Sequence, residues 1–276
     1  MNPLPGMHDI VVALEWIRGN IARFGGAPSG VTLFGQSSGS YAICNICVAP
    51  KAKGLFDKAV LHSGPCFGGP PGKGWGPGNA TLATQVRTSI FKTLNVSTIA
   101  ELRAIKNASS IQWPDHVMND ADAAPFFSGY FPDAFVIPTT TGLPRELWAK
   151  GAINPSALIV GHMSKDGTAG FYGIAPTLGT IPPDANQTSG HAYVAAQHAV
   201  WGEHMGDKVV AAYPLSEWGG SPQSAFIQSD ADLYVICPAY ALTVWAHAAK
   251  RPVSKQVRSG GWWQLFPSSP HSPALT

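Results

Sequence analysis

The sequence is poor in charge. Asp, Glu, Lys and Arg make up only 12% of its 276 residues, and 18 basic against 16 acidic side chains leave a formal net charge of +2. No basic run is dense enough to neutralise a phosphate backbone or an anionic bilayer, so nucleic acid and charged membrane surfaces are excluded as partners. No apolar stretch approaches the ~18 residues that a membrane-spanning helix needs. Pro3 and Pro5 interrupt the N-terminus where a secretory leader would run unbroken. Cysteine is sparse as well: Cys44, Cys47, Cys66 and Cys237 are neither dense nor regularly spaced enough to define a disulfide framework. Cys44-x-x-Cys47 lacks the second ligand pair that would complete a zinc site.

Hydrophobic residues make up 45% of the chain, enough for one large domain or two modest ones. Four acceptor patterns for N-linked glycans occur, at Asn79, Asn95, Asn107 and Asn186, against roughly one expected by chance in such a chain. That excess suggests a secretory route.

Short apolar runs alternate with amphipathic ones. Asp9 to Phe24 reads as a helix, with Val12, Leu14, Trp16, Ile17, Ile21 and Phe24 near a 3.6-residue period, closed by Gly25-Gly26. Val31–Phe34, Lys58–His62 and Ala157–Val160 read as strands buried on both faces. Helical patterns occupy 38–48, 81–94, 99–106, about 190–213 and about 230–250. Gly- and Pro-dense 65–79 reads as a loop, and 107–145 is irregular and rich in aromatics. Buried strands alternating with helices predict an α/β fold, a mostly parallel sheet with helices on both faces.

Within that frame Gly35-Gln36-Ser37-Ser38-Gly39 is a G-x-S-x-G sequence at a strand-to-helix turn. The bare pattern arises by chance in about one such chain in four, so its context carries the weight. A strained turn there pushes a serine hydroxyl out at the C-terminal edge of the sheet, and the following helix aims its first amides at the same place. The glycines are expected to keep side chains from colliding where strand and helix meet. Ser37 is the candidate nucleophile and the Ser38 amide a candidate oxyanion donor.

The flanking residues resemble the type-B carboxylesterase and cholinesterase family of α/β hydrolases. Asp9, Ala13, Leu14, Trp16, Ile17, Asn20, Ile21, Phe24, Gly25 and Gly26 match its D-x-x-x-A-L-x-W-[VI]-x-x-N-I-x-x-F-G-G segment. V-T-L-F-G-x-S follows at Val31 to Ser37, and Gly54-Leu55-Phe56 with Ala59 to Gly64 resembles G-L-F-x-x-A-I-x-Q-S-G. The likeness is close over residues 3–66 and looser at Leu143-Pro144, 161–171 and 229–238.

The resemblance implies an α/β-hydrolase fold and a serine carboxylic-ester hydrolase working through a Ser-Asp-His triad on a small-molecule ester, with no metal or organic cofactor. It implies that Asp166, in Ser164-Lys165-Asp166-Gly167, is the triad acid, an aspartate where the family usually has glutamate. A turn-capping role for an Asp before Gly is the plain structural alternative. Gln36 stands where the family usually has glutamate and His62 where it has glutamine, while Ser63 is expected to support the site from behind. Five histidines follow Asp166. His191, His198 and His204 sit in or beside helical patterns, His247 lies inside one, and His271 has the right chain order but not the family's G-x-x-H-x-x-E surroundings.

Residues 1–276 are thus expected to form a partial carboxylesterase type-B domain whose N-terminal strands and H-G-G-type oxyanion loop precede residue 1, with 254–276 as an atypical tail. The nucleophile strand is then an open sheet edge, and the chain is expected to be poorly soluble or to need a partner. The full-length product is expected in the secretory pathway. The competing reading is a cholinesterase-like binding or adhesion protein without chemistry, or a remnant.

Overall fold

The computed structural model of the chain describes residues 5–68, 80–107, 136–137, 141–167 and 190–258. Asn79, Asn186 and His271, the loop 69–79 and most of 107–145 lie outside the described residues.

Among the described residues four parallel strands form one sheet in the order β1 (Thr32–Gln36), β2 (Lys58–His62), β3 (Ala157–Met163) and β4 (Val253–Arg258). Gln36 lies beside His62, and His62 beside Gly161, so the C-terminal ends of β1 and β2 are level and β3 runs two residues further, to Met163. β4 was not anticipated: Val253-Ser254-Lys255-Gln256-Val257-Arg258 lies on a sheet edge and has only two apolar residues, with three polar ones between them, so neither an apolar run nor strict alternation marks it.

One face of the sheet carries the core. Ala59, Leu61, Leu158 and Val160 pack with α1 (Pro5–Asn20), α2 (Ser38–Ile46), α5 (Pro144–Ala149) and α9 (Cys237–Ala248). At its centre the Trp148 indole N–H donates to the Cys44 carbonyl at 3.1 Å, tying α5 to α2.

The apolar stripe on α1 is not the one that the periodicity suggests. Met7, Val11 and Leu14, spaced i, i+4, i+7, are buried, whereas Val12, Trp16 and Phe24 are exposed. Trp16 and Phe24 meet each other outside the core, with ring centroids 6.1 Å apart. Similarly, β1 is only partly buried, and on one side alone. Thr32, Phe34 and Gln36 face outward, and Phe34 is 81% exposed, because β1 is the edge strand and no described element covers that side.

Two helices between β2 and β3, α3 (Ala80–Thr93) and α4 (Ile99–Ala104), match the sequence reading to within two residues. Between β3 and β4, α6 (Gly190–Trp201) and α7 (Glu203–Ala212) are separated at Gly202, whose φ of +75° breaks the expected single helix. A second core of Tyr193, Ala196, Val200, Ala225 and Phe226 packs α6 on α8 (Pro222–Ala231). A π-helical turn, Asp232–Ile236, joins α8 to α9. Pro238 explains the widening: it has no N–H to donate, and its ring crowds the carbonyl four residues earlier, that of Tyr234.

Candidate active site

Ser37 sits between β1 and α2 at φ 54° and ψ −123°, a conformation that a non-glycine residue adopts only under constraint. Two bonds impose it. The Ser37 N–H donates to the His62 carbonyl at 3.0 Å, extending the sheet by one link, and the Ser37 carbonyl accepts from the Tyr41 N–H at 2.9 Å, opening the helix. Serine at a helix N-cap ordinarily caps with its own oxygen. Here the side chain makes no capping bond, so the hydroxyl is free for other work and is exposed. The Ser38 N–H is a first-turn donor that α2 cannot satisfy by itself, and Ser38 is exposed too.

The glycine requirement differs from expectation. A Cβ on Gly35 would lie 2.6 Å from the Gly39 carbonyl carbon, whereas a Cβ on Gly39 meets nothing within 4 Å among the described residues. The second obligatory glycine is Gly64, whose Cβ would collide with the Ser37 carbonyl oxygen and lie 2.8 Å from Ser40 Cβ. The elbow is thus wedged against the segment after β2, and the motif's second glycine is not what gives it room.

That segment is clamped from two sides. Cys44 of α2 and Cys66 form a disulfide, and the Cys66 N–H points to Cys44 Sγ at 3.0 Å. Phe67 packs on Trp245 of α9 with centroids 5.2 Å apart, and Gly68 runs so close to the π turn that a Cβ would stand 2.8 Å from the Tyr234 carbonyl oxygen. The cysteine spacing alone could not reveal this bridge: 22 residues separate the pair, and only the return of the chain from β2 over α2 brings them together. Cys47, the other half of the C-x-x-C pair, is a buried free thiol.

Ser63 follows β2 with φ 53°, and its N–H donates to the Gly161 carbonyl at 2.9 Å. Its hydroxyl stands near enough to Asp166, in the turn after β3, to favour the ionised carboxylate. Asp166 Oδ2 also accepts from the Met163 N–H at 2.8 Å, so the carboxylate caps its own turn as well as facing Ser63. Burial raises its pKa above the usual aspartate value, partly offset by the Met163 N–H, the Ser63 hydroxyl and nearby His162, each of which favours the ionised form. Gly167 presses this turn onto α8, where a Cβ would lie 2.6 Å from the Ala231 nitrogen.

The sheet therefore brings Ser37, Ser63 and Asp166 to its C-terminal edge at the ends of three successive strands. Gln36 ends β1 on the outward face beside His62, whose ring lies over Gly161; a Cβ there would sit 2.9 Å from His62 Cδ2.

Two of the histidines that follow Asp166, His198 and His247, are placed elsewhere. His198 Nε2 pairs with Asp207 at 2.8 Å on the surface of α6 and α7. His247 lines a cleft with Thr32, Lys58 and Ala157, the N-terminal ends of the strands, at the end of the sheet opposite to Ser37. Sequence reasoning missed His162, which is buried beside Asp166. Its Nδ1 is 3.0 Å from the Met163 carbonyl and so carries the proton, and its Nε2 has no partner among the described residues. An ionisable residue inside the buried run Ala157–Met163 was the available signal. Among the described residues no cluster of three His, Cys, Asp or Glu is arranged to hold a metal ion, and no helix is long and apolar enough to cross a membrane.

Comparison with known proteins agrees with this architecture. The sequence model of the carboxylesterase family matches residues 5–254. The para-nitrobenzyl esterase of Bacillus subtilis (strain 168) is 28% identical over 217 residues, covering 76% of this chain and 40% of the relative. Carboxylesterase 1D of Rattus norvegicus is 31% identical over 184 residues, 64% of this chain and 31% of the relative. A solved PNB esterase structure superposes over 95% of this chain and 50% of its own length, with a TM-score of 0.64 and 24% identity. The fold is that of the α/β hydrolases, and the chain spans half or less of the length of these relatives.

Proposed function

The chain belongs to the carboxylesterase family, and from that premise we propose that it carries the nucleophile half of a serine carboxylic-ester hydrolase site. Ser37 Oγ attacks the ester carbonyl carbon and passes its proton to an imidazole. The tetrahedral intermediate expels the alcohol, which takes that proton, and leaves an acyl-serine. Water then repeats the sequence and releases the acid. The Ser38 amide donates to the oxyanion, and Asp166 orients the imidazole and stabilises its cationic form. Ser63 holds Asp166, and Gln36 lines the outward side of the elbow. No histidine of this chain is assigned as that imidazole: His271 has the right chain order but not the family's surroundings, and it lies outside the described residues.

The observation that carries this reading is the Ser37 hydroxyl, held at a strained strand-to-helix turn and not engaged in capping. Substrates are small-molecule carboxylic esters, and a para-nitrobenzyl ester is the natural first probe given the name of the Bacillus relative. The Cys44–Cys66 bridge and the four glycan acceptor patterns support maturation in an oxidising, secretory compartment.

The test is covalent labelling. A fluorophosphonate ester is incubated with the chain, and the modified peptide is mapped. Modification at Ser37, absent in Ser37→Ala and accompanied by ester hydrolysis, supports the proposal. Labelling of another serine, or hydrolysis that survives Ser37→Ala, overturns it.

A further inference from the structure

We propose that Asn95 is an N-glycan acceptor on the turn between α3 and α4. The inference rests on the secretory-route reading above and is independent of the ester chemistry.

Helix α3 ends in a two-bond C-terminal cap. The Val96 N–H donates to the Phe91 carbonyl at 2.9 Å and the Asn95 N–H to the Lys92 carbonyl at 3.2 Å. This arrangement puts Asn95 in the left-handed region, at φ 51°. After glycine, asparagine is the residue that tolerates this position best, so the cap by itself accounts for an asparagine here.

The cap does not account for Ser97. The capping oxygen of α4 comes from Thr98, whose Oγ1 accepts from the Glu101 N–H at 3.1 Å, and the Ser97 backbone N–H is bound by Glu101 Oε2 at 2.7 Å. Local structure thus uses the Ser97 backbone and leaves its hydroxyl unassigned. A hydroxyl two residues after asparagine, with Val96 rather than proline between, is the acceptor chemistry that oligosaccharide transfer requires.

The folded protein accommodates the product. Asn95 and Ser97 are exposed on a turn, and the neighbouring cleft of about 510 Å³, lined by Arg87, Phe91, Lys92, Val96 and Thr98, offers space beside the first sugar. A glycan there sits between helices far along the chain from the Ser37 elbow. The disulfide supplies the second, independent sign of the compartment in which such transfer takes place.

The experiment uses the full chain expressed behind a cleavable secretion leader in a cultured eukaryotic cell and recovered from cells and medium together. It is treated with peptide N-glycosidase in heavy-oxygen water and digested with trypsin. The peptide Thr93–Arg103 is expected to contain heavy-oxygen-labelled aspartate at position 95 in most copies. Ser97→Ala should abolish the label while leaving the thermal midpoint of the deglycosylated protein unchanged, and Asn95→Gly should do the same, because glycine suits the left-handed cap. An unlabelled Thr93–Arg103 peptide from the wild-type chain overturns the proposal, whatever the other three acceptor patterns carry. Labelling that persists in Ser97→Ala also overturns it. Reaction at Ser37 is read separately, so failure of either proposal is distinguishable from failure of the other.

Discussion

The hydroxyl of Ser63, at the end of β2, faces the carboxylate of Asp166, in the turn after β3, closely enough to favour its ionised form. Two adjacent parallel strands thereby hold the proposed acid from a side that its own turn cannot supply. Removing the hydroxyl in Ser63→Ala withdraws a donor that favours the ionised form, so the Asp166 pKa rises further above the ordinary aspartate range. A hydrogen bond to a charged group is worth about 1.5–3 kcal/mol, less for a carboxylate that is only half-buried. The expected result is a loss of roughly tenfold in kcat/KM and an acidic limb of the pH–rate profile displaced to higher pH. An unchanged profile would remove Ser63 from the site.

Ser37 combines a proposed chemical role with backbone strain. Ser37→Ala is expected to lower ester hydrolysis by at least about a thousandfold with little effect on stability. Ser37→Gly should abolish activity equally and raise the thermal midpoint, since relief of a φ of 54° is worth on the order of 1 kcal/mol net of the entropic cost of glycine. Thermal denaturation of the three proteins checks the sign.

Gly64 and Gly39 should respond oppositely to alanine. At Gly64 a methyl group meets the Ser37 carbonyl and Ser40, so Gly64→Ala is expected to destabilise at the upper end of the roughly 1–3 kcal/mol of overpacking and to impair labelling of Ser37. At Gly39 the methyl meets open space inside a helix, so Gly39→Ala should be neutral or stabilising by up to about 1 kcal/mol. Urea unfolding of both variants decides this.

Loss of the Cys44–Cys66 bridge, by the double change to alanine, removes a cross-link over a 22-residue separation and should cost about 3 kcal/mol. A reductant added to the wild-type chain should reproduce that loss, and should do nothing to the double variant.

Burial pushes the Asp230 carboxyl up to about 7. Its folded pKa lies above its unfolded value, so between about pH 4 and pH 7 the folded state binds more protons and stability falls as pH rises. Asp230→Asn is expected to raise the thermal midpoint at about pH 8, leave it unchanged at about pH 4, and flatten the slope between.

Much of the site was legible because it is local. The G-x-S-x-G turn, the strand before it and the helix after it lie within Val31–Ile46, where periodicity and turn chemistry act over neighbouring residues. Lys58–His62 was placed to the residue, since a continuous apolar run in a parallel sheet has little alternative. β4 was missed because an edge strand with Lys255, Gln256 and Arg258 in it carries no such run.

By itself, then, the sequence determined most of the elements around the elbow and the chemistry available at each: a serine at an elbow, an aspartate before a glycine, parallel strands to carry them. Only the tertiary structure decided which face of α1 is buried, that Gly64 rather than Gly39 makes room for the elbow, that Cys44 meets Cys66, and that His162 lies beside Asp166 while His247 lies at the far end of the sheet. The physical reason is range. Periodicity and capping are set by neighbours three or four residues apart, whereas these contacts join residues brought together by crossover connections whose packing no local pattern encodes.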